Sequence, residues 1–265
     1  AAGRATALLK SESGEISAFR ATNSTWELSK AIGSPRGESP FADRVLCVDV
    51  DGSGKLLATG GGEPSRSGEL LIWNLDDGSL VRRIEAPHRD TVLCVKFSRD
   101  GKRLATGGAD RLVKLWDVES GNLIKTLEGH THHVTSIDWH VNGRQLASGS
   151  ADATIKIWDI DTGQASRTIS GLKAEITKLA YIGRDDRIGV TGGDGRFRVY
   201  RTDNGRAETN VTLPGGYLYA LATNREGTQF VVGGADGSAV VVDKAGKTLR
   251  TYALKPELDA DSPSQ

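Results

Sequence analysis

A histidine, a hydroxyl, a carboxylate and an indole recur at fixed distances in this chain. His88, Thr106, Asp110 and Trp116 are matched by His130, Ser148, Asp152 and Trp158, with the same gaps of 18, 4 and 6 residues. A hydroxyl next to an imidazole that is itself next to a carboxylate is the set from which hydrolases build an activated nucleophile, the imidazole taking the hydroxyl proton. If buried together, the same four groups can instead satisfy one another, with the indole N–H donating to the hydroxyl and the carboxylate accepting from the ring. Two copies in strict register argue for a repeated scaffold over a single active centre.

Other candidate chemistry is thinner. Cys47 and Cys94 stand in consecutive Val-Leu-Cys-Val runs, and this equivalence predicts small buried thiols rather than a bridge. Cys-x-x-Cys-His is absent from the chain, so this segment attaches no c-type haem. His130, His132 and His133 lie close in sequence, but His130 is committed to its foursome and adjacent side chains of a strand point apart, so no metal site is expected. His140, beside Trp139 near a turn, is expected to be solvated. Asn23-Ser-Thr and Asn210-Val-Thr fit the glycosylation pattern, which on its own carries little weight.

The elements that must hold these residues are announced by glycines. Gly78, Gly121, Gly163, Gly205 and Gly246 are 43, 42, 42 and 41 residues apart, and Gly54, Gly101, Gly143 and Gly227 mark a second turn in the same period. Trp73, Trp116 and Trp158 form a ladder continued by Tyr200 and ended by Val242. Between the turns run short apolar stretches such as Leu-Ala-Thr-Gly-Gly and Val-Lys-Leu-Trp, rich in branched and aromatic residues and without a helical period. They read as strands, four to a unit.

A period of about 40 to 45 residues with four strands per unit resembles the WD40 family, whose repeats each form one blade of a β-propeller. Gly129-His130 and the pairs Trp116-Asp117 and Trp158-Asp159 carry the resemblance. It implies an all-β fold of about six four-stranded blades, the first incomplete, compatible with a seven-bladed ring in a longer chain. The blades are expected at 1–44 (partial), 45–86, 87–128, 129–170, 171–213 and 214–256, with 257–265 a disordered acidic tail. It also implies that the two foursomes are buried structural tetrads. Tetrad residues thin out toward both ends. Phe41 stands where His is expected in the second unit, Leu172 does so in the fifth beside Thr191, Asp194 and Tyr200, and the sixth keeps Asp236 but has Val232 and Val242. The chain has no methionine, and together with the incomplete first blade this suggests a piece of a longer polypeptide.

In WD40 propellers the link entering a blade and the turn between its second and third strands emerge on one face, the top. The resemblance therefore places two insertions, Gly33 to Arg44 and Gly60 to Gly68, side by side on one rim, each expected as a loop. Arg36, Phe41, Glu63, Arg66, Arg89, Arg111, His132, His133 and Tyr217 are the candidate partner-binding residues of that face, Tyr217 with Tyr219 near the mouth of the central channel.

Lys plus Arg equals Asp plus Glu at 34 each, so no general attraction to nucleic acid or to an anionic membrane follows. No apolar run approaches the roughly 18 residues needed to span a bilayer. The expectation is a non-catalytic protein-protein interaction scaffold without cofactor or metal, presenting top-face loops to a protein partner or to an upstream domain of the same chain. Two alternatives stand beside it. The style of Gly60 to Gly68 with Leu70-Leu71-Ile72-Trp73 is similar to bacterial propellers that follow a cytochrome c-like domain, which implies an accessory role and an extracytoplasmic site, where the scaffold alone leaves the compartment open. A propeller enzyme would need converging acids and bases in the channel. Asp49, Asp138 and Lys96 recur irregularly on inner strands and read as solvated lining.

Overall fold

A computed structural model describes residues 6–10, 16–22, 25–32 and 39–253 of the 265-residue chain. Every regular element among them is a strand, and each sheet is antiparallel. The first sheet has three strands, β1 (Thr6–Lys10), β2 (Ile16–Thr22) and β3 (Thr25–Ile32). Five four-stranded sheets follow. They are β4 (Arg44–Val50), β5 (Leu56–Glu63), β6 (Ser67–Asn74) and β7 (Leu80–Ile84); β8 (Val92–Phe97), β9 (Arg103–Gly108), β10 (Val113–Asp117) and β11 (Leu123–Leu127); and β12 (Val134–Trp139), β13 (Gln145–Ser150), β14 (Ile155–Asp159) and β15 (Ala165–Ile169). The fifth sheet is β16 (Ile176–Tyr181), β17 (Arg187–Gly192), β18 (Arg196–Arg201) and β19 (Ala207–Thr212), and the sixth is β20 (Leu218–Thr223), β21 (Gln229–Gly234), β22 (Ala239–Asp243) and β23 (Thr248–Tyr252).

Each sheet is a meander in sequence order, so every connection is a short turn and the turn chemistry sets the register. The glycines of both turn series adopt positive φ, between 67° and 81°, a conformation that side chains with a Cβ rarely tolerate. One regularity has no sequence signal. Each inner strand, β4, β8, β12, β16 and β20, carries a register shift two residues after its first paired apolar residue, as between Val92 and Cys94 or Val134 and Ser136. A repeated bulge at this point bends the strand as it enters the sheet.

The inner strands of successive sheets lie against one another, β4 on β8, β8 on β12, β12 on β16 and β16 on β20. Together they line a central channel of about 500 Å³. This is the all-β propeller architecture. The core is the series of interfaces between neighbouring sheets. Ala58, Leu70 and Ile72 of the second sheet meet Val95, Phe97, Leu104 and Trp116 of the third, and Ala147, Ile155 and Ile157 of the fourth meet Leu179, Tyr181, Ile188 and Val190 of the fifth. Leu104, Leu115, Leu146, Ile155 and Ile157 are fully buried, each contributing about 1.5 to 3 kcal/mol relative to exposure. The sixth sheet instead leaves Tyr219, Val231, Leu249 and Tyr252 exposed.

The stretch Gly60 to Gly68 is not the expected loop. The β5–β6 ladder runs on through Gly62↔Gly68 to Glu63↔Ser67, because four successive small or polar residues let the strands stay paired beyond the tight turn used in the later units. The hairpin tip is pinned to the next unit by Gly68 N donating to His88 O at 3.0 Å and Ser65 N to Asp90 Oδ1 at 2.7 Å. Residues 33–38 of the other insertion, and the acidic tail, lie outside the described residues.

Candidate functional site

In the third sheet His88 Nδ1 lies 2.8 Å from Asp110 Oδ1, His88 Nε2 lies 2.8 Å from Thr106 Oγ1, and Trp116 Nε1 donates to the same Thr106 oxygen at 2.9 Å. The fourth sheet repeats this. His130 Nδ1 is 2.9 Å from Asp152 Oδ2, His130 Nε2 is 2.7 Å from Ser148 Oγ, and Trp158 Nε1 donates to Ser148 Oγ at 2.8 Å. One proton assignment satisfies every atom: indole N–H to hydroxyl, hydroxyl O–H to Nε2, Nδ1–H to carboxylate. The second carboxylate contact is backbone, from Arg89 N at 3.0 Å and Thr131 N at 2.9 Å.

Electrostatics reinforce that assignment. Burial, outweighing the Asp152 contacts, holds His130 below its ordinary value and so neutral. Burial opposes ionisation of Asp152, but hydrogen bonds from Thr154, the Thr131 N–H and His130 outweigh it and bring the carboxyl down to about 2. Thr106 and Ser148 have no exposed surface, and their oxygens already accept the indole proton. A hydroxyl so enclosed has no path to a substrate carbonyl, which a nucleophile requires.

The irregular units solve the same problem with residues the sequence pattern did not mark. In the second sheet Trp73 Nε1 donates to Thr59 Oγ1 at 3.1 Å, and Phe41, 5 % exposed, tilts against Trp73 with centroids 5.5 Å apart. Phe41 is thus a core residue and is not available to a partner. The missing carboxylate is supplied by Glu69 at the start of β6. It accepts Ala42 N at 3.1 Å, the same backbone N–H that Asp110 and Asp152 receive one residue after their histidines, and it pairs with Arg83 at 2.6 Å. In the fifth sheet the buried guanidinium of Arg198 takes the vacant histidine position and holds Asp194 by two contacts, one at 3.0 Å. An acid beside Gly68, and a basic residue four positions after a turn aspartate, were the available signals.

On the rim that carries the strand-entry links, Arg89 and Arg111 are exposed and flank a groove of about 550 Å³ lined also by Asp110, Lys114, Glu128 and His130. Among the described residues neither guanidinium has a hydrogen bond or ion pair. Glu63 and Arg66 pair with each other at 3.0 Å across the β5–β6 turn. His132 and His133 are exposed with ring centroids 4.4 Å apart. They do not point apart as expected, because the link that holds them is not a strand and strand alternation does not apply. Tyr217 is half-buried and bonded to Glu175, and burial with that carboxylate pushes its hydroxyl up to about 12; Tyr219 is exposed 4.6 Å away. Arg36 lies outside the described residues.

The channel is more ordered than an irregular solvated lining. Lys96 Nζ pairs with Asp49 Oδ1 at 2.8 Å, Asp49 Oδ2 accepts Phe97 N at 2.8 Å, and Asp138 Oδ2 accepts Tyr181 N at 2.7 Å. Ser136 Oγ accepts Leu179 N at 3.0 Å and Trp139 Nε1 donates to Lys96 O at 3.1 Å. Each contact joins one sheet's inner strand to the next, so these acids act as ties between sheets. Burial raises Asp138, against the pull of Lys96. Cys47 and Cys94 are free thiols; burial pushes both upward, Cys94 to about 12. His140 is also not solvated as expected. It is buried, edge-on to Tyr181 at 5.0 Å and facing Asp186 at 3.4 Å, because its turn folds over the neighbouring sheet. Among the described residues no group of three or more His, Cys, Asp or Glu could hold a metal ion, and no helix is long and apolar enough to cross a membrane.

Meandering sheets packed in series around a polar channel define a β-propeller, and its third and fourth sheets carry the indole–hydroxyl–imidazole–carboxylate chains. Residues 78–117 and 121–159 match the family described as WD domain, G-beta repeat. Those two stretches hold both complete foursomes, His88, Thr106, Asp110 and Trp116 in the first and His130, Ser148, Asp152 and Trp158 in the second. Comparison with curated proteins gave no match.

Proposed function

We propose that this chain is a non-catalytic protein-protein interaction scaffold that presents its strand-entry rim to a protein partner or to another domain of a longer chain. WD40 propellers generally serve in this way. The observation that supports the reading is the groove of Arg89 and Arg111, two exposed guanidiniums unpaired among the described residues, with the Arg89 backbone anchored by the half-buried Asp110. Cationic forks on a rigid frame suit a partner segment that carries carboxylates. The eight tetrad residues belong to the frame in this reading, and His132 and His133 extend the contact surface. The narrower role beside a cytochrome c-like domain draws no support from the family match, which carries the repeat alone.

Affinity capture from the source organism's lysate, comparing the wild type with an Arg89→Glu, Arg111→Glu double variant of unchanged melting temperature, tests the proposal. Selective loss of one or more wild-type partners is expected. An identical captured set for both proteins would refute the rim as the binding face.

A further inference from the structure

The end of the channel away from Arg89 and Arg111 holds a second cationic cluster. Arg99 lies in the turn after β8, Arg184 in the turn after β16 and Arg225 in the turn after β20, so all three sit at one end of the ring, a strand's length from the strand-entry rim. They line one cavity of about 490 Å³ whose floor is Phe97, Trp139 and Tyr181 and whose inner wall carries Lys96, Asp49 and Asp138. All three arginines are exposed, and among the described residues none of their guanidiniums has a hydrogen bond or ion pair.

The carboxylates around them are otherwise engaged, apart from Glu226 beside Arg225, which does not line the cavity. Asp49 is held by Lys96 and the Phe97 N–H, and Asp138 by the Tyr181 N–H. Asp51 accepts from Ser53, Lys55 N and Leu56 N, and Asp100 from Ser98 and Lys102 N. Asp185 faces Arg187 and Asp186 faces His140. Four cations and two anions therefore line this cavity in a chain whose formal charge is zero. Guanidinium forks arriving from three separate sheets can contact several oxygens of one ligand at once, which a lone surface arginine cannot do. The volume falls in the range of small-molecule sites.

We infer that this mouth binds a small ligand bearing two or more clustered phosphates, with Arg99, Arg184 and Arg225 as its anchors. The ligand can be a soluble polyphosphorylated molecule or the headgroup of a polyphosphorylated lipid, since both offer the same oxygens. The site is distinct from the Arg89 and Arg111 groove and does not depend on the partner reading.

Titration calorimetry with inorganic phosphate, tripolyphosphate and inositol hexakisphosphate tests it, with the wild type, R99Q, R184Q, R225Q, the triple variant and an R89Q, R111Q control. Tripolyphosphate and inositol hexakisphosphate are expected to bind at least about tenfold more tightly than phosphate, with each single substitution costing about three- to tenfold and the triple variant abolishing binding. Sedimentation with vesicles containing phosphatidylinositol 4,5-bisphosphate separates the sources: pelleting of the wild type but not the triple variant identifies a lipid headgroup, and absence of pelleting with calorimetric binding intact identifies a soluble ligand. The inference is overturned if the wild type binds neither polyphosphate, if the triple variant binds as the wild type does, or if the control loses as much as the triple variant. Unchanged melting temperatures keep the comparison free of folding effects.

Discussion

Replacing Trp158 by alanine is expected to cost about 3 to 5 kcal/mol of folding stability. The side chain is 1 % exposed, packs with Leu115, Val134 and Leu146 in the interface between the third and fourth sheets, and gives its only polar hydrogen to Ser148. Truncation opens a cavity the size of an indole and leaves the Ser148 oxygen, wholly buried, without its donor, a loss of about 1 kcal/mol in itself. Trp158→Phe separates the two effects. It retains most of the apolar volume and removes the donor, so its cost should be about 1 to 2 kcal/mol. Urea unfolding followed by far-ultraviolet circular dichroism gives each value. A double-mutant cycle of Trp158→Phe with Ser148→Ala should then show a coupling of about 1 kcal/mol, because the groups touch. A Trp158→Ala cost below about 1 kcal/mol, or a cycle without coupling, would refute the claim that the foursome supports the fold.

Acid should weaken the protein over a defined window. His130 is held below its ordinary 6.5 and Asp152 is brought from 3.8 to about 2; both depressions give stability that is present above the ordinary values and lost as pH falls through the folded ones. The urea midpoint should thus decline from about pH 6.5 toward pH 2, and Asp152→Asn should flatten the part below pH 4; an unaltered profile in that variant would contradict the assignment. Glu69→Ala should cost about 1 to 3 kcal/mol through the orphaned Ala42 N–H and raise hydrogen exchange at that amide, whereas exchange unchanged at Ala42 would show that the carboxylate is not its cap.

What the sequence made legible were the features tied to one residue type at one backbone position. Turn glycines need positive φ, and a Trp-Asp pair ending a strand needs a hydroxyl ten residues earlier, so spacing alone exposed both. Glu69 escaped because the β5–β6 hairpin is longer than in the later units, which moves the carboxylate off the turn and onto a strand while its target, the Ala42 N–H, stays where it was. Arg198 escaped for a related reason: a long side chain reaches a vacant site from a position that carries lysine in the regular sheets. His140 was misjudged because its surroundings come from Tyr181 and Asp186, about 40 residues onward, a distance no local pattern reports. The order in the channel was likewise hidden, since Asp49 and Asp138 find their partners on the next sheet and not on their own.

Those channel ties have a mechanical consequence. Polar joints connect the second sheet to the third, the third to the fourth and the fourth to the fifth through Asp49, Trp139, Ser136 and Asp138. At the place of Asp138 the fifth sheet carries Ala180, which has no group with which to grip the backbone of the sixth. Under a load that pulls the sheets apart, directional bonds would hold the middle of the ring as one stiff body. Strain would gather at the joint between the fifth and sixth sheets, whose polar ties, Tyr217 to Glu175 and Thr209 Oγ1 to Lys244 O, lie outside the inner strands. The sixth sheet is thus the compliant leaf of the assembly, and a tension carried through the carboxy-terminal end would be felt there before it reached the tetrads.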